Sequence, residues 1–299
     1  MRTSRTLAVA LCAVALTATA ACGKDGTPGA AASASDAPKL PTYTVKTDAK
    51  IDSPIVAEAK KRGQLIIGAK ADQPNLGWED VASGDRSGFD IEIAKMIAAD
   101  LGFTPQQIKW QTLVSSQREP AIDKGQIDFY VGTYSINDER KKTVSFAGPY
   151  YIAGQDLLVK QDNTSITGPE SVTGKNVCTA TGSTSIKNIQ QYNPKITQFD
   201  TYSACVEKLL SGEVDAVTTD DAILKGYASK YNGKLKVVGK PFTKENYGVG
   251  LKKDDAVLRN AISDALKAHE DNGDWKKAYD ATLAASGSAA PDVPALDRY

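Results

Sequence analysis

Histidine is nearly absent from this chain of 299 residues, and cysteine is scarce. His269 stands alone and the cysteines number four, which argues against a multi-ligand zinc site and against most chemistry that needs an imidazole base. A surplus of one charge is also lacking, since 36 basic residues balance 36 acidic ones. No overall field therefore draws the chain to nucleic acid or anionic lipid. We expect no metal, no cofactor and no nucleic acid among its partners.

Long apolar runs are absent too, apart from one near the start. Leu7 to Leu16 follow Arg2 and Arg5 and precede small residues up to Ala21. This run is about half of the roughly 20 residues that a membrane-spanning helix needs. Residues 1–21 are therefore predicted to be a secretory signal peptide. The rest of the chain is long enough for one large domain or for two lobes with packed cores.

Both ends of the folded body carry segments of small residues. Thr19-Ala20-Ala21-Cys22 resembles a bacterial lipobox, in which the cysteine is lipidated and becomes the new N-terminus. Gly, Ala, Ser and Pro dominate the residues that follow, and such segments bury too little surface to offset their ordering entropy. We predict a lipidated Cys22 with a flexible linker over residues 22–45, and a disordered tail over 284–299. Cleavage nearby, with release of a soluble secreted protein, is the alternative.

Two cysteines remain for the folded body, Cys178 and Cys205. In an oxidising compartment they are expected to form one disulfide bond, which would stabilise the fold by about 3 to 4 kcal/mol in the chain-entropy model. Two buried free thiols are the alternative. A catalytic thiol is not expected, because His269 lies far away in a predicted helix.

A short unit of sequence occurs twice. Gly125-Gln126-Ile127-Asp128 leads into an apolar run, and Gly212-Glu213-Val214-Asp215 leads into another. Each copy has the pattern of a helix, a glycine turn and a buried strand, which is half of a crossover in a mostly parallel sheet. The repeat predicts two α/β lobes of similar build. Units of this kind also recur within a single α/β sheet, which is the alternative interpretation.

Two extended segments predict the path between the lobes. Gln155 to Lys160 precedes the second copy and Tyr247 to Lys252 follows it. The second lobe would then be an insertion into the first, with two hinge crossovers. We predict lobe 1 over residues 46–154 plus 250–283 and lobe 2 over residues 155–249. A helix with apolar residues from Val257 to Leu266 would return the chain to lobe 1, and His269 continues its apolar face as a packed side chain.

Polar residues follow the predicted strands, which is where ligands bind in open α/β sheets. Lys70 follows the first strand, and Thr133 and Ser135 follow the strand of the first repeat. Arg140 lies in the first turn of a helix that Asn137 would cap. A cation there opposes the helix dipole, so Arg140 is interpreted as a guanidinium that binds a carboxylate. A solvated surface arginine is the alternative.

The second lobe offers two such places. Gly182 to Ser185 bring hydroxyl groups and free amides to a helix start, which suits either an anion or ordinary capping. Asp220 ends the second repeat, where it would either cap a helix or accept a ligand's ammonium group.

Taken in order, these residues resemble the extracellular solute-binding proteins of bacterial ABC importers for polar amino acids, and most of all the glutamate-binding lipoproteins. The likeness covers residues 60 to 283. It is carried by these segments: Ile67 to Pro74, Gly88 to Ile91, Ser116 to Glu119, Thr133 to Arg140, Gly148 to Tyr151, Gly182 to Thr184, Tyr202 to Glu207 and Tyr247 to Lys253. The resemblance implies the two-lobed periplasmic-binding-protein-like fold of type II, an α/β fold with mostly parallel sheets flanked by helices.

The resemblance also implies roles for single residues. Arg140 would bind the ligand α-carboxylate, helped by Thr184 and the helix start at Ser183. Asp220 would accept the α-ammonium group, with Thr133 and Ser135 nearby. Lys70 and Arg118 match positions that hold the side-chain carboxylate in binders of acidic amino acids, and Tyr202 matches a lining position.

The implied function is that of a monomeric, non-enzymatic importer subunit. It would be exported, anchored by lipid to the outer face of the cell membrane, and would deliver glutamate or aspartate to an ABC permease and its ATPase. Three cations, Lys70, Arg118 and Arg140, against Asp220 would leave a surplus that accepts a dicarboxylate and rejects a cationic ligand. Glutamate and aspartate differ by one methylene, which leaves that choice open. The alternatives are a subunit for a neutral amino acid such as glutamine, an enzyme similar to cyclohexadienyl dehydratases, and a receptor sensor domain.

Overall fold

The computed structural model describes residues 39–299. The predicted signal peptide, the lipidated Cys22 and the linker up to residue 38 lie outside the described residues. In the part of the chain that is described, no helix has the length and apolar character needed to cross a membrane.

Helices and strands alternate along most of the chain. The helices are α1 Pro54–Arg62, α2 Phe89–Asp100, α3 Arg118–Asp123, α4 Asp138–Lys141, α5 Ser185–Gln190, α6 Tyr202–Ser211, α7 Asp221–Lys230, α8 Ala256–Asp271 and α9 Asp274–Ala281. Short 3-10 helices cover Pro105–Gln107, Ser115–Gln117, Pro169–Val172 and Leu283–Ser286. The strands are β1 Leu65–Ala69, β2 Asp72–Gln73, β3 Gly77–Glu79, β4 Arg86–Ser87, β5 Ile108–Thr112, β6 Phe129–Tyr130, β7 Val144–Ala153, β8 Gln155–Lys160, β9 Asn176–Ala180, β10 Lys195–Phe199, β11 Ala216–Asp220, β12 Leu235–Val237 and β13 Glu245–Lys252.

Two five-stranded sheets form the framework. The first has the order β5-β1-β6-β13-β7 and the second has the order β10-β9-β11-β8-β12. In each sheet the first three strands are parallel, and an antiparallel strand follows them. Helices pack on both sheets, so each sheet with its helices makes one lobe. The predicted α/β fold class with two lobes is confirmed.

The repeated aspartate makes the same pair of hydrogen bonds in both sheets. The carboxylate of Asp128 accepts a hydrogen bond from the backbone N–H of Ile66 at 2.7 Å, and that of Asp215 accepts one from the N–H of Asn176 at 2.8 Å. Each aspartate also donates its own N–H back to the same residue. The repeat therefore joins the start of β6 to β1 in one lobe and the start of β11 to β9 in the other.

The chain passes between the lobes in two neighbouring segments. Gly154 links β7 to β8, and residues 238–244 link β12 to β13. The N–H of Gln155 donates to Oγ1 of Thr243 at 2.9 Å, and a methyl group on Gly154 would lie 2.7 Å from the Thr243 carbonyl oxygen. Residues 245–252 form one strand that pairs with β7, so the boundary predicted at 249/250 falls inside a strand of the first sheet.

The tail differs from the predicted disordered segment. The N–H of Asp297 donates to the Gly148 carbonyl oxygen at 2.7 Å, and the Tyr299 hydroxyl accepts a hydrogen bond from the N–H of Phe146 at 2.9 Å. The Tyr299 ring also lies 4.2 Å from the charged groups of Lys141 and Arg259. Small residues dominate the segment, but its few large side chains contact the first lobe.

The predicted disulfide bond between Cys178 and Cys205 is confirmed. It joins β9 to α6, with Cα atoms 5.5 Å apart. Both cysteines are fully buried, so the bond ties a helix to its sheet inside the second lobe. His269 is buried too, with Nδ1 3.0 Å from a carboxylate oxygen of Asp274 and its ring against Tyr43, which is the packed role that its position predicts.

Candidate functional site

Loops that follow the parallel strands of both sheets meet between the lobes. Gly182, after β9, is where they touch, because its carbonyl oxygen accepts hydrogen bonds from Arg118 at 3.3 Å and from Arg140 at 3.2 Å. A methyl group on Gly182 would come within 2.7 Å of the Ser116 Cα atom. The lobes are therefore close together around a narrow cleft. The nine predicted binding residues lie in it or beside it: Lys70, Arg118, Thr133, Ser135, Arg140, Ser183, Thr184, Tyr202 and Asp220.

Lys70 is buried at the end of β1, and its ammonium group donates to Oγ of Ser115 at 2.8 Å. Burial, and after it the Arg118 guanidinium, lower the pKa of Lys70 from the ordinary 10.5 to about 7. Asp72 and Asp90 act in the opposite direction. Near neutral pH the side chain is thus divided between its charged and neutral forms, and a nearby carboxylate would favour the charged one.

Arg118 begins α3 and is buried, with its guanidinium between the lobes. All of its described hydrogen bonds go to backbone carbonyl oxygens, those of Ser115 at 3.0 Å, Thr133 at 3.4 Å and Gly182 at 3.3 Å. Its guanidinium also lies 4.3 Å from the centre of the Tyr134 ring. Ser116 and Glu119 have the spacing of a capping box, but Gln117 precedes α3 and no side chain caps that helix. Arg118 therefore connects loops of the two lobes through their backbone carbonyl oxygens.

Arg140 reaches the cleft from α4, whose first turn is capped by Asn137 as predicted, with the N–H of Arg140 donating at 2.9 Å. Its guanidinium donates to the Ser135 carbonyl oxygen at 2.7 Å, and its Nε lies 3.1 Å from Oε1 of Glu119. The side chain therefore connects α3, the loop after β6 and the Gly182 loop. Its fork is oriented by neighbours on three sides.

Asp220 ends β11 and is buried, with one carboxylate oxygen accepting a hydrogen bond from the Tyr247 hydroxyl at 2.7 Å. Among the described residues its other oxygen, Oδ1, is buried without a hydrogen-bond partner. Burial, and then the Glu245 carboxylate, raise the pKa of Asp220 from the ordinary 3.8 to about 8. An unpartnered buried oxygen of this kind is a site for a donor, and a cationic donor would return Asp220 to its charged form.

Glu245, the first residue of β13, was not foreseen. It accepts hydrogen bonds from Oγ1 of Thr184 at 3.1 Å and from Nδ2 of Asn188 at 2.9 Å. Thr184, expected to assist at a ligand carboxylate, thus donates to a carboxylate of the protein. The segment that carries Glu245 gave an extended pattern only from Tyr247 on, so no local signal placed this acid beside a strand end of the other lobe.

Ser183 and Tyr202 lie on the second-lobe side. Oγ of Ser183 is 3.4 Å from Oγ1 of Thr179. Tyr202 is buried at the start of α6, where burial and then the charge of Asp220 raise its pKa, while hydrogen bonds from Thr219 and Ser183 lower it. Both side chains thus belong to the polar wall that contains Asp220.

Thr133 has an unusual backbone, and a second unforeseen acid supports it. Its φ is 46°, a left-handed value that is costly for a β-branched residue. The N–H of Thr133 donates to Asp90 at 3.1 Å, and its Oγ1 accepts from Nε2 of Gln73 at 3.2 Å. Asp90 is fully buried, also accepts from the Tyr150 hydroxyl at 2.8 Å, and burial raises its pKa to about 6. An aspartate inside the apolar start of α2 was the signal that could have revealed it.

The cleft contains more acidic groups than the sequence analysis counted. Glu119 pairs with Arg140, while Glu245 and Asp90 lie close to Asp220 and Lys70 respectively. Basic groups therefore cluster at Lys70 and Arg118, and carboxyl groups cluster at Asp220 and Glu245. The cleft has a cationic end and an acidic end, which suits a small molecule with groups of both signs.

Comparison with known proteins gives a consistent result. The profile of the bacterial extracellular solute-binding proteins, family 3, matches residues 65–283. The chain is 40% identical over 231 residues to the glutamate-binding protein GluB of Corynebacterium glutamicum, an alignment that covers 73% of this chain and 78% of that protein. It is 35% identical to the ABC transporter glutamine-binding protein GlnH of Bacillus subtilis, with coverage of 87% and 90%.

A solved structure is similar along most of its length. An ancestral arginine-binding protein bound to glutamine has 36% sequence identity and a TM-score of 0.68, covering 73% of this chain and 96% of that one.

Proposed function

Because the chain belongs to family 3 of the bacterial extracellular solute-binding proteins, we propose that it binds an amino acid, and most favourably glutamate or aspartate, between its two lobes. The first lobe would comprise residues 46–154 and 245–283, and the second lobe residues 155–244, because β13 belongs to the first sheet. In this proposal the bound amino acid is delivered to an ABC permease and its ATPase, and the protein itself has no enzymatic activity.

The buried, unpartnered Oδ1 of Asp220 is the observation that carries the proposal. An α-ammonium group at that oxygen would supply the missing donor and favour the ionised form of Asp220. The α-carboxylate would then lie toward Arg140, whose guanidinium is already oriented by Ser135 and Glu119. Ser183 and Thr133 would add neutral donors, and Thr184 would do so by exchanging its hydrogen bond to Glu245 for one to the ligand.

The side chain of the ligand would lie toward Lys70 and Arg118. Both are buried cations, and a second carboxylate there would offset their mutual repulsion. The similarity to a glutamate-binding protein supports an acidic ligand. A ligand with a cationic side chain would be repelled by Lys70. Two like charges about 4 Å apart cost about 4 kcal/mol at an effective dielectric of 20.

Glutamine is the second candidate, and a specific observation favours it. The hydrogen bonds of Arg118 go to backbone carbonyl oxygens, and burial lowers the pKa of Lys70 to about 7. A partly neutral lysine and an occupied arginine would tolerate an uncharged amide. The glutamine-binding relative is consistent with this alternative.

Isothermal titration calorimetry of the purified protein against single amino acids tests the proposal. We expect glutamate or aspartate to bind more tightly than glutamine and arginine to give no heat. Tighter glutamine binding would favour the second candidate. Absence of binding by every amino acid would exclude the proposed function altogether.

We further propose that the protein is exported as a monomer and anchored through lipid on Cys22 to the outer face of the cell membrane. Cys22→Ser tests this in the native cell. The variant is expected in the culture medium while the unaltered protein stays with the membrane fraction. Equal distribution of the two would contradict the anchor.

A further inference from the structure

The lobes also touch on the side of the cleft that carries β2. The loop from β2 to β3 belongs to the first lobe, and it packs against α6 and α7 of the second. Five residues make this contact, which we call the closure contact: Asp72, Pro74, Ser203, Gly226 and Tyr227.

Asp72 is the polar centre of the closure contact. Its carboxylate oxygen Oδ2 accepts hydrogen bonds from the N–H of Ser203 and from the Tyr227 hydroxyl, both at 3.2 Å. The same hydroxyl lies 2.5 Å from the Asp72 carbonyl oxygen. Ser203 is in the first turn of α6, so a carboxylate of one lobe satisfies a free N–H at the helix start of the other. Each of these bonds exists only while the lobes are together.

Gly226 is the close-packed part of the same contact. It lies in the middle of α7, where glycine costs about 1 kcal/mol relative to alanine. A methyl group at this position would come 2.4 Å from the Pro74 carbonyl oxygen and 3.3 Å from the Pro74 carbonyl carbon. Those atoms are backbone, so they cannot rotate away. The helix therefore gives up local stability at a point where its backbone packs closely against the other lobe.

We propose that Gly226 and Tyr227 are positioning residues that set ligand affinity by allowing the lobes to close, without touching the ligand. The proposal rests on the proposed function for its effect on affinity, but the contact itself can be tested without a ligand. A ligand that bridges two lobes binds the closed form, so its apparent affinity depends on how readily that form is reached. Removing a bond that forms only on closure lowers affinity for every ligand by the same factor.

Two substitutions separate this role from a merely structural one. Gly226→Ala restores helix propensity in α7 but places a methyl group against Pro74. We expect ligand affinity to fall about tenfold to a hundredfold, the range for overpacking a tight contact, while the melting temperature of the ligand-free protein stays unchanged or rises. Tyr227→Phe removes one oxygen atom, and we expect about a tenfold loss of affinity.

The kinetic and selectivity readouts are specific to closure. Contacts that form after encounter act mainly on dissociation, so stopped-flow measurement should show a faster off-rate with an unchanged on-rate. The ratio of affinities for glutamate and glutamine should stay the same in both variants. Tyr192→Phe is the matched control, because its ring packs with Phe242 against the apolar core of the second lobe. This variant should bind as the unaltered protein does.

Spin labels on the two lobes test the closure contact in the absence of a ligand. Distance distributions of the ligand-free protein should contain a short-distance population that Gly226→Ala removes. If both proteins give the same distribution, or if Gly226→Ala binds amino acids as tightly as the unaltered chain, the proposal is overturned. If no amino acid binds but the short population still depends on Gly226, the closure contact stands and the proposed function fails.

Discussion

At the scale of single residues, Arg140 links three parts of the cleft. Glu119, the Ser135 carbonyl and the Gly182 carbonyl all contact its guanidinium. The contacts with Glu119 and Ser135, which lie in the same lobe as Arg140, keep the planar fork in one orientation before a ligand arrives, which reduces the entropy lost on binding.

Arg140→Ala is expected to weaken binding of every α-amino acid about a hundredfold or more, the usual loss when a buried charge partner is truncated. Arg140→Lys should recover only part of it, because an ammonium group cannot make the two parallel bonds of a guanidinium. Calorimetry measures both. Lys142→Ala is the control, because this residue directly follows α4 and its exposed side chain pairs with Glu139. Equal binding by Arg140→Ala and the unaltered protein would remove Arg140 from the site.

Lys70 predicts how selectivity changes with pH. Its pKa is lowered to about 7, so below that pH it is already charged and glutamate binds at no protonation cost. Above it, a bound carboxylate requires uptake of a proton, and affinity for glutamate falls by up to about tenfold per pH unit. Glutamine needs no such proton.

The ratio of glutamate affinity to glutamine affinity is therefore expected to decrease as pH rises from 6 to 9. Asp220 meets the ammonium group of both ligands, so its own titration cancels in the ratio. Calorimetry in buffers of different ionisation heat measures the proton uptake directly. In Lys70→Met the ratio should become flat, and a flat ratio in the unaltered protein would place Lys70 away from the ligand side chain.

At the scale of elements, the repeated aspartate explains why the two lobes share a plan. Asp128 joins β6 to β1 and Asp215 joins β11 to β9 by the same pair of hydrogen bonds. In each lobe the strand that follows carries binding candidates at its carboxyl end.

Asp128→Ala is expected to lower the free energy of unfolding by about 2 kcal/mol, since it leaves the Ile66 N–H and the Arg62 guanidinium without their acceptor. Asp215→Ala should cost about 1 kcal/mol, because a single N–H loses its acceptor. Urea denaturation followed by circular dichroism measures both. Unchanged stability in both variants would mean that the repeat is a coincidence of sequence.

Elements with a strong local pattern were predictable from the sequence. The extended segments from Gln155 and from Tyr247, and the helix that contains Val257 to Leu266, all occur where their sequence patterns place them. The partners of charged residues were not predictable from the sequence. Glu119 looks like half of a capping box but pairs with Arg140, and Asp90 contacts Thr133 from a distant helix, because such pairings depend on how the elements pack.

At the scale of the whole molecule, the C-terminal tail contacts the first lobe although its composition predicts disorder. Residues around Asp297 and Tyr299 contact the edge strand β7, while Lys141 and Arg259 flank the tyrosine ring. A segment rich in small residues gives a signal of disorder, and two or three large side chains are too few to reverse that signal in the sequence.

Removal of residues 288–299 is expected to lower the free energy of unfolding by about 2 to 3 kcal/mol, because it removes the hydrogen bonds at Ala289, Asp297 and Tyr299 and two cation–π contacts. Thermal denaturation of the shortened and unaltered proteins measures it. Tyr299→Leu, which keeps an apolar side chain but loses the hydroxyl and the aromatic face, should give a smaller decrease. Identical denaturation curves would mean that the tail is free in solution.

The adjacent crossings at Gly154 and Thr243 have a consequence for protein engineering. Because the chain enters and leaves the second lobe at neighbouring points, that lobe is a cassette with only two junctions. Exchanging it for the corresponding segment of a relative would create a chimera in which the Asp220 wall comes from one parent and the Lys70 wall from the other. Such a chimera would combine the ammonium-binding wall of one parent with the wall that selects the ligand side chain in the other.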